Sequence, residues 1–254
     1  MNHTGRCTLF LISALVLGAL LVWGYRDLPP LGDYRGPYGD VISGLSVYER
    51  HTTDVVNAIT YDYRGFDTLG EEFILFASVT GVLLLFRKQP NEDEQGKAEA
   101  GTRENRIDVS DAIRVTMMAM VGVMVAFGVY IALHGQLTPG GGFQGGVVLA
   151  TAPLVVYLSG RAQLFNRIVS HPLIVLADSA GAAGYALLGI AGMIAGANFL
   201  TNVFPLGTTG DVFSSGTIAM ISAAVGLEVA GGFTLLIHSY LEEILESKFA
   251  EGGS

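Results

Sequence analysis

The sequence predicts an all-α membrane protein of about six transmembrane helices, with a short interfacial helix and a glycine-rich, broken hairpin between helices three and four. Three observations carry this expectation. Half of the 254 residues are hydrophobic, only 15% are charged and the mean hydropathy is +0.48, against roughly 25% charged residues in ordinary soluble domains. Six apolar stretches, Thr8–Gly24, Gly70–Phe86, Ile113–Leu133, Phe143–Gly160, Leu173–Phe199 and Ser215–His238, hold 124 residues but only five of the 37 charged ones: Glu71, Glu72, Arg114, Asp178 and Glu228. Their lengths suit the roughly 17–25 helical residues that cross a hydrocarbon core, where every backbone group must find its partner internally. Packed as soluble helices, they would leave almost nothing to face water.

Composition also removes whole classes of function. With 14 Lys+Arg against 23 Asp+Glu the formal charge is −9, so a nucleic-acid binder working by phosphate neutralisation is excluded. Cys7 is the single cysteine, which excludes an internal disulfide, a thiolate zinc site and an iron–sulfur cluster held by this chain alone. No histidine pair has the spacing of a haem or metal site and no Ser/His/Asp grouping is legible, so no cofactor and no enzymatic role are expected.

The first helix, Thr8–Gly24, follows Arg6 as a signal peptide would, but Leu21–Tyr25 offers no small-x-small cleavage site, so an uncleaved helix is expected. Leu28–Pro37, with three prolines and two glycines, reads as irregular. From Asp54 a helical period begins: Val55, Val56, Ile59 and Tyr63 share one face, and Asp54, Asn57 and Asp62 lie on others. This predicts a short helix on the membrane surface, ended by Gly65. Helix two then begins abruptly within Phe66–Glu72. Thr68-Leu69-Gly70-Glu71 fits a capping box, and the helix dipole favours Asp67 and Glu72 there. Capping thus accounts for Asp67 and Glu71 without any ion. It does not account for Glu72, after which only 14 residues, Phe73–Phe86, precede Arg87. Such a short helix must draw its acid-bearing start into the membrane or thin the bilayer.

Asn91–Asp108 is the one long hydrophilic tract, with charges of both signs and no apolar period. It reads as a linker, dividing the chain into a two-helix segment (1–90), the linker (91–108) and a four-helix domain (109–254). Lys and Arg set the orientation: with the N-terminus inside, ten lie inside (Arg6, Arg87, Lys88, Lys97, Arg103, Arg106, Arg114, Arg161, Arg167, Lys248) and four outside (Arg26, Arg35, Arg50, Arg64). Both termini are therefore expected in the cytoplasm, with the protein multi-pass in the cell (inner) membrane. Leu241–Phe249 extends the last helix as an acidic, amphipathic tail. No inverted repeat is visible, which weighs against a self-contained transporter.

Glu228 is the sharpest candidate. It lies near the middle of an apolar helix, where an acid costs about 2.5–3.5 kcal/mol on insertion scales and usually faces a protein interior or a wet path. The alternative is a protonated acid that merely hydrogen-bonds a neighbouring helix. Around it, Ala224, Gly226, Gly231 and Gly232 permit close helix approach, as do Gly181, Gly184, Gly189, Gly192 and Gly196 on the preceding helix. Asp178, one to two turns from a helix end, reads either as a second ion-handling group or as an acid reaching interfacial water. His134–Gly146 holds six glycines and Pro139 in 13 residues, which does not suit regular helix. Such backbone survives at membrane depth only when buried in protein or lining a wet cavity; contact with a cation or partner and a tight outer turn both remain open. His134, His171 and His238 sit near helix ends, as proton shuttles or as solvated residues.

His134–Gly146, with its Thr138-Pro139-Gly140-Gly141-Gly142-Phe143-Gln144-Gly145-Gly146 core, resembles the signature of the MnhB/MrpB component of multisubunit Mrp-type sodium/proton antiporters. The four helices from Ile113 to Tyr240 resemble that domain throughout, including Gly226-Leu227-Glu228-Val229-Ala230-Gly231-Gly232 in the last one. Val56–Glu71, with Tyr61-Asp62-Tyr63-Arg64-Gly65-Phe66-Asp67-Thr68-Leu69-Gly70-Glu71, is similar to the E-type subunit of membrane-bound hydrogenases and to the C-terminal end of the large MrpA component. The resemblance covers about residues 45–240. It implies a non-catalytic subunit of an ion-pumping complex related to the membrane arm of respiratory complex I. The implied partners are large antiporter-like and small membrane subunits, Na+ and protons, within the lipid bilayer. The small subunits of that family form a sodium-handling module. The motif residues carried over are Asp67, Glu71, Pro139, Gly140, Gly141, Gly142, Phe143 and Glu228; an acid near Asp178 is less uniform in the family. Three functions compete: an ion-translocating subunit, a structural subunit whose glycine faces join larger pumps, and the ion module of a redox-driven complex.

Overall fold

The computed structural model describes residues 3–26, 28, 30, 32, 36–86 and 109–251, and among these there is no strand. The expected linker Asn91–Asp108 lies outside them, as do Arg87, Lys88, Lys97, Arg103 and Arg106. The chain divides into two compact units, Met1–Asp40 and Val41–Ser254.

In the first unit, α1 (His3–Arg26) is apolar on all sides and exposes its side chains from Cys7 to Arg26, as a lipid-facing span does. α2 (Pro37–Arg50) lies mostly in the second unit and begins at a proline, which suits a first helical position. Sequence periodicity missed it, because the buried pair on its inner face is Ile42 and the small polar Ser46.

Further along the second unit, α3 (Val55–Ala58) runs into a π-helical turn (Ile59–Tyr63), then α4 (Gly65–Leu85), α5 (Asp111–Leu133), α6 (Gly142–Leu158), α7 (Ala162–Ile168), α8 (His171–Ile194) and α9 (Thr217–Glu251). α9 is the central post and packs on α8, α6 and α4, while α5 packs on α6. Its inner face is Ile218, Ile221, Val225, Val229 and Leu235, spaced mostly three to four residues apart and buried. A second apolar cluster around Val156, Phe165 and Val169 closes the far end of the bundle and includes Leu241 from the tail of α9.

Among the described residues, α1, α4, α5, α8 and α9 are long and apolar enough to cross a membrane. The expected sixth span is α6, whose 17 residues give only about 25 Å at 1.5 Å per residue, short of a hydrocarbon core of about 30 Å. The reason lies in the preceding loop. A Cβ at Gly142 would fall on the Ser222 carbonyl and 2.7 Å from the Gly226 nitrogen, so α6 starts beside the second and third turns of α9. The missing length is filled by the 134–141 loop, which dips into the bundle. Gly140 and Gly141, at φ 149° and 137°, provide the reversal that an L side chain resists.

Two local expectations are corrected. Gly65 does not end a surface helix: it opens α4, and only Arg64 separates α4 from the π-helical turn. Thr68 is therefore inside the helix, and its hydroxyl donates to the Thr60 carbonyl at 2.6 Å, so Thr68–Glu71 forms no capping box. The short helix is also turned over. Asn57, Ala58 and Tyr61 are buried while Val56 is exposed, because the polar side chains of this segment have partners inside the protein.

The loop between α8 and α9 caps the same end. The Asn202 Oδ1 accepts from the Thr217 N–H and hydroxyl, both at 2.9 Å, and its Nδ2 donates to Asp62 Oδ2 at 3.2 Å. Asn202 thus supplies the N-terminal cap of α9 from outside the helix. Asn202→Ala is expected to cost about 1 kcal/mol, read as a lower unfolding temperature of the purified complex.

Candidate functional site

Three acids on three helices come together in the middle of the second unit: Glu72 from α4, Asp178 from α8 and Glu228 from α9, with relative exposures of 5%, 3% and 0%. Glu228 is two residues from the centre of the Thr217–Glu243 span. Glu72 lies within side-chain hydrogen-bonding reach of Glu228, and Glu72 and Asp178 both act on its charge. No other donor among the described residues satisfies either Glu228 oxygen, Glu72 Oε2 or Asp178 Oδ1. Buried polar atoms are nearly always hydrogen-bonded in folded proteins, and an unpaired buried acid is costly. Three of them in one place are a feature that stability does not explain.

The helices approach closely around the acids, in a reciprocal way. A Cβ at Gly181 on α8 would fall on the backbone nitrogen of Glu228 and 2.5 Å from its Cβ; one at Gly231 on α9 would lie 2.6 Å from the Asp178 nitrogen. Each helix therefore carries an acid and, three residues on, the glycine that admits the other helix's acid: Asp178-Ser179-Ala180-Gly181 against Glu228-Val229-Ala230-Gly231. Gly232 faces both Asp178 Oδ1 and Val79 of α4. The small residues pack as their spacing suggested except Gly196, which lies beyond the end of α8 with nothing within 4 Å of its Cβ position.

Above the acids sits a hydroxyl layer. The Tyr185 hydroxyl, on a fully buried side chain, donates to the Gly65 carbonyl at 2.8 Å and lies near Thr68. Tyr61 reaches the first turn of α6, where the Gly142 and Phe143 amides approach its oxygen. Burial first, and then the nearby Glu72 charge, push the Tyr61 hydroxyl above its usual range, so it stays protonated. At the surface of this layer, Arg50 pairs with Asp62 at 2.9 Å. Burial nevertheless raises the Asp62 carboxyl, against the Arg50 charge.

The glycine-rich loop is held by the segment before α4. Asn57, 2% exposed, donates through Nδ2 to Asp54 Oδ2 (2.7 Å), the Gly135 carbonyl (2.7 Å) and the Gly140 carbonyl (2.9 Å). The Gln136 carbonyl accepts from the Thr53 and Asp54 amides and the Thr52 hydroxyl; the Leu137 carbonyl accepts from the Thr53 hydroxyl. The loop is buried in protein, the first of the two conditions under which irregular backbone is tolerated at membrane depth. Asn57→Ala leaves the buried Gly135 carbonyl and the half-buried Gly140 carbonyl short of a donor, an expected cost of about 1–3 kcal/mol, seen as earlier dissociation of the complex on heating.

The remaining predicted site residues stand apart from the acids. Asp67 is exposed and ion-paired to Arg64, and Glu71 is exposed. His134 stacks on Tyr130 at 4.3 Å and bonds its carbonyl through Nδ1 at 3.0 Å. Pro139 and Phe143 lie at the exposed edge of the loop, while Gly141 and Gly142 are buried in it. Tyr61, Tyr185 and Asn57 were not singled out by sequence. The available signal was polar groups within or beside apolar spans, where each needs an internal partner.

Residues 112–235 match the family described as a domain related to the MnhB subunit of Na+/H+ antiporters. An uncharacterized protein of Methanocaldococcus jannaschii is 31% identical over 70% of this chain and 73% of its own length. The chain belongs to the MnhB family. Asp178, Glu228 and the glycine-rich loop fall inside the matched domain; Glu72 falls before it. A probable K(+)/H(+) antiporter A/B protein of Rhizobium meliloti is 31% identical over 48% of this MnhB-type chain and 14% of its own length. Among solved structures, a chain of the membrane-bound sulfane sulfur reductase, an archaeal respiratory membrane complex, superposes with a TM-score of 0.67 at 28% identity, covering 93% of this chain and 98% of that one. A chain of the Mrp complex of Dietzia sp. shares the fold at TM-score 0.63 and 21% identity, over 94% of this chain and 26% of that one.

Proposed function

We propose that this MnhB-type chain is a non-catalytic integral membrane subunit of a multisubunit cation (Na+)/proton antiporter complex, in which it contributes to the ion-translocation module. The observation that carries this reading is the row of three buried carboxyls at membrane depth, with no partner from outside the row, among the described residues, for either Glu228 oxygen, Glu72 Oε2 or Asp178 Oδ1, since intramembrane acids mark ion and proton pathways. The family match supports the antiporter setting, and the likeness of Val56–Glu71 to the hydrogenase E-type subunit supports a two-part chain, 1–90 and 109–254, joined at 91–108. The Lys/Arg distribution supports both termini, and the far end of the bundle, on the cytoplasmic side of the cell membrane. Tagged in native membranes, the chain should co-purify with large antiporter-like subunits, and its deletion should remove Na+-dependent proton exchange. A chain that purifies alone, or exchange that survives deletion, overturns the reading.

A second setting is favoured by one observation. The chain of the archaeal respiratory complex is matched along 98% of its length, so the same ion module fits a redox-driven assembly. Co-purifying iron–sulfur subunits would select this setting over the stand-alone antiporter.

A further inference from the structure

Resting on the ion-path reading, we infer that the Glu72–Glu228–Asp178 row carries protons and does not bind the sodium ion. This departs from the sodium-handling role that the family resemblance implies, and it comes from the order of the acids and from where the backbone carbonyls go.

The three acids form a ladder along α9. Val79 touches the Gly232 position, and Glu72 lies seven residues before Val79 on α4, which runs parallel to α9 from the same end. Glu72 is therefore level with Val225. Asp178 is level with Gly231, whose position abuts its backbone. The rungs fall at the levels of residues 225, 228 and 231, about 4–5 Å apart at 1.5 Å per residue. Side chains of Glu and Asp span such a rise, and Glu72 and Glu228 already lie within direct reach of each other. A proton passes when the O–H of a protonated Glu72 breaks as one forms on the Glu228 carboxylate. The same exchange repeats from Glu228 to Asp178, and negative charge moves the opposite way.

A hard cation asks for more. It needs several oxygens converging at one point, and transporters provide these from unwound backbone. Here the acids are staggered, and no three of the Asp, Glu, His or Cys side chains described could share a metal ion. α4, α8 and α9 run unbroken past the acids, so their carbonyls are used within the helices. The unwound segment before α6 is the 134–141 loop, and six of its eight carbonyls accept hydrogen bonds: His134 from Leu137 and Thr138, Gly135 and Gly140 from Asn57, Gln136 and Leu137 from Thr52–Asp54, and Gly141 from Gly145. The other two, Thr138 and Pro139, lie at the outer edge of the loop, with Pro139 exposed. The groups that act on Glu228 are protonatable, Glu72 from α4 and Asp178 from α8, and around Glu72 stand Tyr185 from α8 and Tyr61 from the π-helical turn. α6 adds only Tyr157 at its far end.

The test uses the intact complex in native membranes and a hydrophobic carbodiimide, which attaches to a buried carboxyl only while that carboxyl holds a proton. Label on Glu228 is expected to fall as pH rises and to be unchanged by added NaCl relative to choline chloride. Protection by NaCl would overturn the inference, placing the cation at Glu228 while leaving the ion-path reading intact. Absence of label at every pH would also overturn it. The companion measurement is the Glu72→Gln complex, assembled at normal levels: the maximal exchange rate should drop about tenfold with the KM for Na+ unmoved. A tenfold rise in that KM at undiminished maximal rate overturns the proton assignment. If neither quantity moves, the row lies outside the path and the ion-path reading fails with it.

Discussion

Glu228→Gln in the intact complex is expected to lower coupled cation/proton exchange by about 100-fold, the scale on which a positioned proton-transfer group contributes, while the complex still assembles. Glutamine keeps the length and hydrogen-bonding shape of glutamic acid but holds no exchangeable charge. Glu228 is wholly buried and lacks a partner for either oxygen apart from the neighbouring Glu72. Replacing it therefore breaks no structural hydrogen bond, and the amide spares the bundle a potential buried charge. Stability should hold or rise as activity collapses, a separation that a purely structural carboxyl cannot produce. The check is Na+-driven proton uptake in everted vesicles alongside the amount of complex on a native gel. Normal exchange from normally assembled complex would remove Glu228 from the path and favour the structural reading of the chain.

Gly142→Ala is the complementary case, with a large effect on assembly. The new methyl would overlap the Ser222 carbonyl and sit 2.7 Å from the Gly226 nitrogen, both backbone atoms of the central helix. Neither can swing aside as a flexible side chain would, so α6 must shift off α9 and pull on the loop that Asn57 and Tyr61 clamp. Overpacking of this kind costs about 1–3 kcal/mol. The expected outcome is a severalfold loss of assembled complex, with the residual complex dissociating at lower temperature. Gly122→Ala is the control, because nothing lies within 4 Å of its Cβ position. Equal behaviour of the two variants would show that the α6–α9 contact does not limit assembly.

The two experiments separate the two uses of this bundle. Glycines at 142, 181 and 231 set how near the helices come, and the acids occupy the space those approaches define. A change at a glycine acts first on assembly, and a change at Glu228 acts first on transport. Loss of both together in Glu228→Gln would mean that the acid is itself part of the packing.

Hydropathy sufficed to recognise a multi-pass helical membrane protein, because the cost of placing charge in hydrocarbon acts on each stretch of chain independently of its neighbours. The same logic picked out Glu228 and Asp178 as isolated acids in apolar surroundings, whereas Glu72 was a candidate only together with its neighbours Asp67 and Glu71, which are exposed. The start of α4 was misread because Thr68-Leu69-Gly70-Glu71 has the composition of a cap. Whether a threonine caps or bonds a carbonyl depends on the preceding residues, which are here the π-helical turn delivering the Thr60 carbonyl. The inward face of Asn57 and Tyr61 was hidden for a related reason: an amphipathic period shows that two faces differ, and it leaves open which one meets protein. α6 follows its apolar stretch almost residue for residue, and what the stretch could not show is that the 134–141 loop, rather than more helix, fills the depth that α6 leaves.

Local composition thus settles which segments leave water and which acids go with them, since burial in a bilayer is charged residue by residue. The meeting of Glu72, Glu228 and Asp178 at successive levels is a different kind of fact. It arises from α4, α8 and α9 sliding into one register, and that register is set by close contacts at Gly181, Gly231 and Gly232, between residues tens to more than a hundred positions apart in the chain.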